Sequence, residues 1–123
     1  MLRGRVNKSG EPLVALTLEL GRKRRRQTAV IDTGFNGYLS VPKSLIEQAD
    51  WELLGFEDYE LASGAIVREQ VYRGWVIFDR RRVEVYAVAT DSSDILIGTR
   101  LLRGKRLLID FGSGEVYIMG SRG

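Results

Sequence analysis

With 123 residues, 44% hydrophobic and 28% charged, the chain has the composition of a folded protein built around one core. It contains no cysteine and no histidine, which excludes disulfides, thiol chemistry, a Ser-His-Asp triad, a Cys-His dyad and a histidine-held metal. The net charge is +3, no apolar run approaches the ~20 residues of a membrane span, and residues 1–6 carry charge where a signal peptide needs an apolar core, so a cytoplasmic setting is expected.

In chain order, residues 2–6 read as a short strand, and Asn7-Lys8-Ser9-Gly10 as a turn. Val14, Leu16, Leu18 and Leu20 then recur with a period of two, which marks a strand. Gly21 and the cluster Arg22-Lys23-Arg24-Arg25-Arg26 are expected to form the turn, with residues 27–32 returning as the second arm of a hairpin. Such a cluster can attract nucleic acid or an anionic surface. It lacks the interleaved aromatic residues of a stacking platform, so it reads as a solvated hairpin tip and nucleic acid is not the expected partner.

The second arm, Ala29-Val30-Ile31, is apolar throughout and ends abruptly in Asp32-Thr33-Gly34. A carboxylate at the end of a buried strand is costly unless something offsets its desolvation. By itself the triplet is also an ordinary Asp-X-Gly turn. Residues 37–41 form another short strand, and Pro42 suits the first turn of a short helix over residues 42–49, with Leu45, Ile46 and Ala49 facing inward. Trp51 to residue 55 is read as a connector. Residues 56–61 and 66–79 form a long hairpin with the small-residue tip Ala62-Ser63-Gly64-Ala65, and Gly74 marks an expected bulge or bend. In the second arm, Tyr72, Trp75 and Phe78 are spaced so that two of the three belong in the core. Arg80-Arg81 is the next turn, residues 83–90 alternate as a strand, and 91–94 form a polar loop.

Ile95-Leu96-Ile97-Gly98 is a short apolar strand, and residues 99–102 are expected to make one helical turn capped by Thr99. Residues 106–111 and 115–119 make a last hairpin, and residues 120–123 a frayed tail. Its turn spells Asp110-Phe111-Gly112, the metal-binding triplet of kinases, but no phosphate loop accompanies it. Glu60 and Glu69 read as exposed strand charges. Many short strands with turn signals between them and at most two short helices predict an all-β barrel or folded sheet, with no linker and one domain over residues 1–123.

Four features stand in order: an apolar strand ending in Asp32-Thr33-Gly34, then Gly37-Tyr38-Leu39-Ser40-Val41-Pro42, then the hairpin tip at Ala62-Ser63-Gly64, then Ile95-Leu96-Ile97-Gly98. This pattern resembles the retropepsin-like aspartic proteases, and with Phe35 following Gly34 it is most similar to small prokaryotic proteins with an Asp-Thr-Gly-Phe signature. The resemblance implies an all-β, single-lobe retropepsin-like acid protease barrel with one or two short helices. It implies Asp32 as the catalytic aspartate, Thr33 as the hydroxyl that fixes two catalytic loops across a dimer axis, and Gly34 as the residue that lets water or substrate approach. Ile95, Leu96, Ile97 and Gly98 correspond to the strand threaded beside that loop, and Ala62, Ser63, Gly64 and Ala65 to the tip of a flap over substrate. Phe35 departs from the small residue that retroviral enzymes carry, and a ring there is expected to narrow or reshape the pocket.

Aspartic-protease chemistry needs two carboxylates sharing one proton. One Asp-Thr-Gly per chain therefore implies a homodimer with a single site on its twofold axis. The resemblance places residues 2–6 and 115–119 at the dimer interface. The expected activity is hydrolysis of a peptide or protein substrate without metal or organic cofactor. The alternative is a weakly active or inactive dimerisation or peptide-binding module on the same fold.

Overall fold

In the computed structural model, which describes residues 1–120, Val14, Leu16, Leu18 and Leu20 are buried and the residues between them are only half-buried. A strand with one face on a core requires that period of two. The strand is β2 (Pro12–Leu20), preceded by β1 (Leu2–Val6). Next come β3 (Lys23–Ile31), β4 (Leu39–Pro42), the one-turn helix α1 (Lys43–Ile46), β5 (Glu52–Glu60) and β6 (Ile66–Phe78). The order ends with β7 (Arg81–Thr90), β8 (Ile95–Ile97), β9 (Lys105–Asp110) and β10 (Glu115–Gly120).

The strands join in the order β5-β6-β7-β4-β8-β3-β2-β1-β10-β9. A further antiparallel pairing sets Thr17 of β2 opposite Ile77 of β6 and Leu18 opposite Val76. It closes β2, β3, β8, β4, β7 and β6 into a six-stranded barrel. Closure hides backbone groups that an open sheet would expose. β5 hangs from β6 as the free arm of a hairpin, and β1, β10 and β9 extend the sheet beyond β2. Leu18, Leu39, Val76, Phe78, Val85, Ile97, Val116 and Ile118 fill the interior. Full burial of such side chains is worth about 1.5–3 kcal/mol each. Ile46 of α1 joins this core, and Leu45 and Ala49 pack against it, as the expected inward face requires.

Several elements differ from their sequence reading. Gly21, with φ +62°, and Arg22 suffice as a two-residue hairpin turn, so β3 begins at Lys23. The rest of the basic cluster therefore lies within a strand, where Arg24 stands opposite Glu19 and Arg26 opposite Thr17. The segment after Trp51 is strand β5 rather than a connector, because Glu52 and Leu53 already pair with Arg73 and Tyr72. Gly74 makes no bulge: it pairs in register with Val85. The irregularity falls in β5 between Leu53 and Gly55. The turn before β7 is Asp79-Arg80, with both residues at positive φ. Residues 99–102 run on as turns, with Lys105 N–H donating to Leu102 O at 3.0 Å, and form no helix.

Phe78 is buried and Tyr72 packs against the core, whereas Trp75 faces outward under the Arg82 guanidinium at 3.8 Å. Asp110-Phe111-Gly112 is the expected hairpin turn, since Asp110 Oδ1 accepts the N–H groups of Gly112 and Ser113. These bonds hold the Asp110 carboxyl below its usual pKa. The tail expected to fray from Gly120 is ordered at that residue, which ends β10 and pairs with Lys105, and the rest of it lies outside the described residues.

Candidate active site

The apolar arm of β3 forces the position of Asp32. Ala29, Val30 and Ile31 run parallel to Ile95, Leu96 and Ile97 of β8, and Asp32 N–H continues the ladder by donating to Ile97 O at 2.9 Å. β8 pairs on its other side with β4, Leu39 opposite Ile97 and Ser40 opposite Leu96. Ile95 and Ile97 are buried by this double pairing and Leu96 is half-buried. The chain then turns sharply. Asp32 Oδ1 accepts the Gly34 N–H at 3.0 Å, and Asp32 O accepts the Phe35 N–H at 3.1 Å. Asp32 is half-buried, while Thr33 and Gly34 are exposed. A β-carbon on Gly34 would stand 3.3 Å from Asp32 Oδ1 and crowd the carboxylate. Among the described residues, no side-chain hydrogen bond occupies the Thr33 hydroxyl.

Gly98 explains the apolar-apolar-glycine pattern. A β-carbon there would lie 2.1 Å from Gly37 O and 2.7 Å from Phe35 O. Only glycine lets the end of β8 approach the loop this closely. Three backbone bonds use that proximity: Gly98 N–H to Tyr38 O (3.0 Å), Thr99 N–H to Phe35 O (2.9 Å) and Arg100 N–H to Gly37 O (3.1 Å). The same bonds pin residues 99–100 to the loop. The Phe35 ring folds over the loop's own glycines, within 2.6 Å of where a Gly37 β-carbon would be.

A groove of about 760 Å³ opens beside this loop. Residues 34–38 and Arg100 form one wall, and Leu54, Gly55, Phe56, Glu57 and Tyr59 of β5 form the other. Val71, Tyr86 and Val88 complete the lining. Tyr38 meets Tyr86 edge-on with ring centres 5.7 Å apart, and the Arg100 guanidinium lies 5.9 Å above Tyr38. Tyr59 donates its hydroxyl to Glu57 Oε2 at 2.6 Å. Burial, then the Glu57 carboxylate, push the Tyr59 pKa above the ordinary phenol range. On the same hairpin, Glu69 stands directly opposite Glu57 and is half-buried, unlike the exposed charge expected, whereas Glu60 is exposed. Burial raises the pKa of Glu69.

Asp32, Thr33, Gly34 and the 95–98 strand thus meet at one point, with Phe35 on the groove wall. The expected flap tip does not join them. Ala62, Ser63, Gly64 and Ala65 form an exposed turn, closed by Leu61 N–H to Ala65 O at 2.8 Å, and none of them lines the groove. The β5 arm supplies that wall instead. Sequence reasoning missed Tyr38, Tyr86 and Arg100. Tyr86 had a signal: it is the aromatic residue in a strand whose alternate positions, Val85 and Ala87, are buried. Among the described residues no group of acids is placed to hold a metal ion.

No family model matches the chain, and no curated protein matches it. A solved structure does: a crystal structure of a retropepsin-like aspartic protease from Rickettsia conorii. The superposition has a TM-score of 0.66 at 14% identity and covers 97% of this chain and 89% of that one. The fold is retropepsin-like. In the retropepsin-like lobe seen here, the closed barrel carries the β3–β8 crossing, and the crossing carries Asp32. The terminal strands pair with each other within the chain. β10 is flanked by β1 and β9, while β1 pairs with β10 over Leu2–Arg5 and with β2 only at Arg5 and Val6. That leaves β9 as the outer strand on this side of the sheet.

Proposed function

We propose that the protein is an aspartic endopeptidase acting as a homodimer, with Asp32 of each chain activating one water to hydrolyse peptide bonds. The observation that carries this reading is the Asp32 carboxylate, half-buried at the end of a strand pinned between apolar neighbours and bonded to the N–H of Gly34, which itself lines the groove. One carboxylate cannot both accept a proton from the attacking water and donate one to the developing oxyanion. Two in contact can, because their repulsion keeps one protonated. The ionised Asp32 takes a proton from water as the oxygen attacks the scissile carbonyl, and the neutral one protonates the carbonyl oxygen. As the tetrahedral intermediate collapses, the newly protonated Asp32 gives its proton to the leaving amine and the other takes the proton of a diol hydroxyl, which restores the shared proton.

In this reading Thr33 ties the two loops across the axis, Gly34 leaves room for the water, and Phe35 shapes the pocket wall. Ile95 to Gly98 hold the loop, and the hairpin ending in Ala62 to Ala65 closes over the substrate. Residues 1–123 act as one domain, in the cytoplasm, on a peptide or protein and without a cofactor. Among the described residues, no helix is long and apolar enough to cross a membrane.

The test is cleavage of an unbiased peptide pool. The parent should cleave, an Asp32→Asn variant should lose activity by a factor of at least ~10³, and a statine-type transition-state mimic should inhibit. Full activity in Asp32→Asn would end the proposal. Peptide binding without cleavage would favour a binding module on the same fold.

A further inference from the structure

β3 is longer than the strand beside it. β8 has three residues and meets β3 only at Ala29, Val30 and Ile31. On that side residues 23–27 have no strand partner, although β2 pairs with all of them on the other. Asp32 N–H points to β8. Successive residues of a strand direct their backbone groups to opposite sides, so Arg24 and Arg26 turn N–H and C=O the same way as Asp32, past the end of β8. Among the described residues no backbone group meets them there. An open edge of this kind is a template for another strand.

The side chains specify which strand. Arg22, Lys23, Arg24, Arg25 and Arg26 are all exposed. Among the described residues only Arg24 of the five has an ion pair, at 4.0 Å from a Glu19 carboxylate that Arg82 already holds at 2.8 Å. Arg25 donates to Gln48 Oε1, a neutral acceptor. Two clefts, of about 660 and 420 Å³, share Arg25 in their walls. Residues 20–25 and Gln48 line the first, and the second runs past Gln27 to Lys43 and residues 90–93. The one acid in either wall, Asp91, is paired with Lys43 at 3.0 Å. Alternation along the strand sets Arg24 and Arg26 on one face of the open edge and Lys23 and Arg25 on the other.

We propose that this edge docks an extended acidic peptide segment of another protein. The segment adds to β3 as a strand, pairs with the open groups of Arg24 and Arg26, and sets its carboxylates against the cations on both faces. Nucleic acid answers the charge but not the edge, because it has no peptide backbone to continue the ladder. Arg26 stands six residues before Asp32, about 20 Å along the strand, so the docking edge is separate from the groove and independent of the peptidase reading.

The test is fluorescence anisotropy at about 0.15 M salt, where exposed charges are largely screened beyond ~8 Å. The probe is a short labelled peptide of glutamate and threonine, and the protein is Asp32→Asn, so that the proposed activity does not consume the probe. The peptide should bind. Its counterpart with N-methylated amides keeps the charge, loses the donors, and should bind about tenfold more weakly or not at all. An Arg24→Ala, Arg26→Ala double variant should lose affinity about tenfold with an unchanged melting temperature, since both side chains are exposed. The charge-matched Arg103→Ala, Arg106→Ala variant, also at exposed positions, should bind as before. Equal binding of the N-methylated peptide, tighter binding of a single-stranded oligonucleotide, equal loss in the two double variants, or no binding of the peptide would each overturn the docking edge. Those outcomes leave the peptidase standing. Cleavage of the peptide pool by Asp32→Asn at the parent rate would remove the peptidase and leave the docking edge.

Discussion

Gly98 lies so close to Gly37 that a β-carbon on Gly98 would come within 2.1 Å of the Gly37 carbonyl oxygen. A backbone atom cannot rotate away as the end of a flexible side chain can. Gly98→Ala should force β8 off the 35–38 loop and loosen the bond from Asp32 N–H to Ile97 O. The expected loss is about 3 kcal/mol, the upper range for overpacking a well-fitted interior. Thermal unfolding reads the stability, and peptide cleavage should fall further than the lost folded fraction explains. An alanine variant with parent stability would show that the loop tolerates displacement.

A second glycine works through a side chain. Trp51 donates its indole N–H to Glu19 O at 2.8 Å, and its ring covers the α-carbon of Gly74 so closely that a β-carbon would fall 2.1 Å from the ring. Gly74→Ala should displace the indole and break that bond, at a cost of about 2 kcal/mol. A Trp51→Leu, Gly74→Ala double variant should recover part of the loss, since the smaller side chain leaves room. Denaturant midpoints of the two single variants and the double variant provide the check.

These two glycines mark what the sequence made legible. The period of two in Val14 to Leu20 and in Val83 to Ala89 announced strands, and the apolar run into Asp32 announced the end of one. Gly98 was tied to the loop only by the family resemblance, since the carbonyls that demand a glycine there belong to Phe35 and Gly37, far earlier in the chain. Gly74 misled, because its reason is Trp51, which is distant in sequence and reaches it only after β5 and β6 pair. The groove wall was hidden for the same cause: Tyr38, Tyr86 and Arg100 come from three separate segments and meet only in the closed barrel. Terminal-strand pairing was also illegible, since the identity of an edge strand is decided by which neighbours are left over.

Arg100 offers a test of the groove. Its guanidinium lies above Tyr38 in a wall that is otherwise largely aromatic and aliphatic. A cation there favours a substrate with a carboxylate near an apolar side chain. Arg100→Gln should raise KM for such peptides about tenfold, roughly 1.4 kcal/mol, and leave kcat within twofold, because the contact is made equally in ground and transition states. Apolar peptides should be unaffected. An equal drop in kcat for every peptide would place Arg100 in the chemistry instead.

The β5–β6 hairpin should respond to acid in the opposite direction from the β9–β10 turn. Glu69 is half-buried opposite Glu57, and its pKa lies above 4.5 chiefly through desolvation. The Lys43 ammonium opposes the shift, and the Asp91 and Glu57 carboxylates add to it. Between 4.5 and the raised value the folded chain binds more protons than the unfolded one. Stability from this group is thus fully present in acid and is lost as pH rises through the folded pKa. Asp110 runs the other way: backbone N–H groups of Ser113 and Gly112 depress its pKa below 3.8, so its contribution is present above that value and is lost as pH falls through the depressed one. Glu69→Gln should flatten the decline in melting temperature above pH 4.5, and Asp110→Asn should flatten the decline below pH 3.8. Melting curves across both windows separate the two, because each substitution should leave the other window unchanged. Were Glu69→Gln to steepen the decline instead, the carboxylate at that position would be stabilised by Lys43 more than it is penalised by burial.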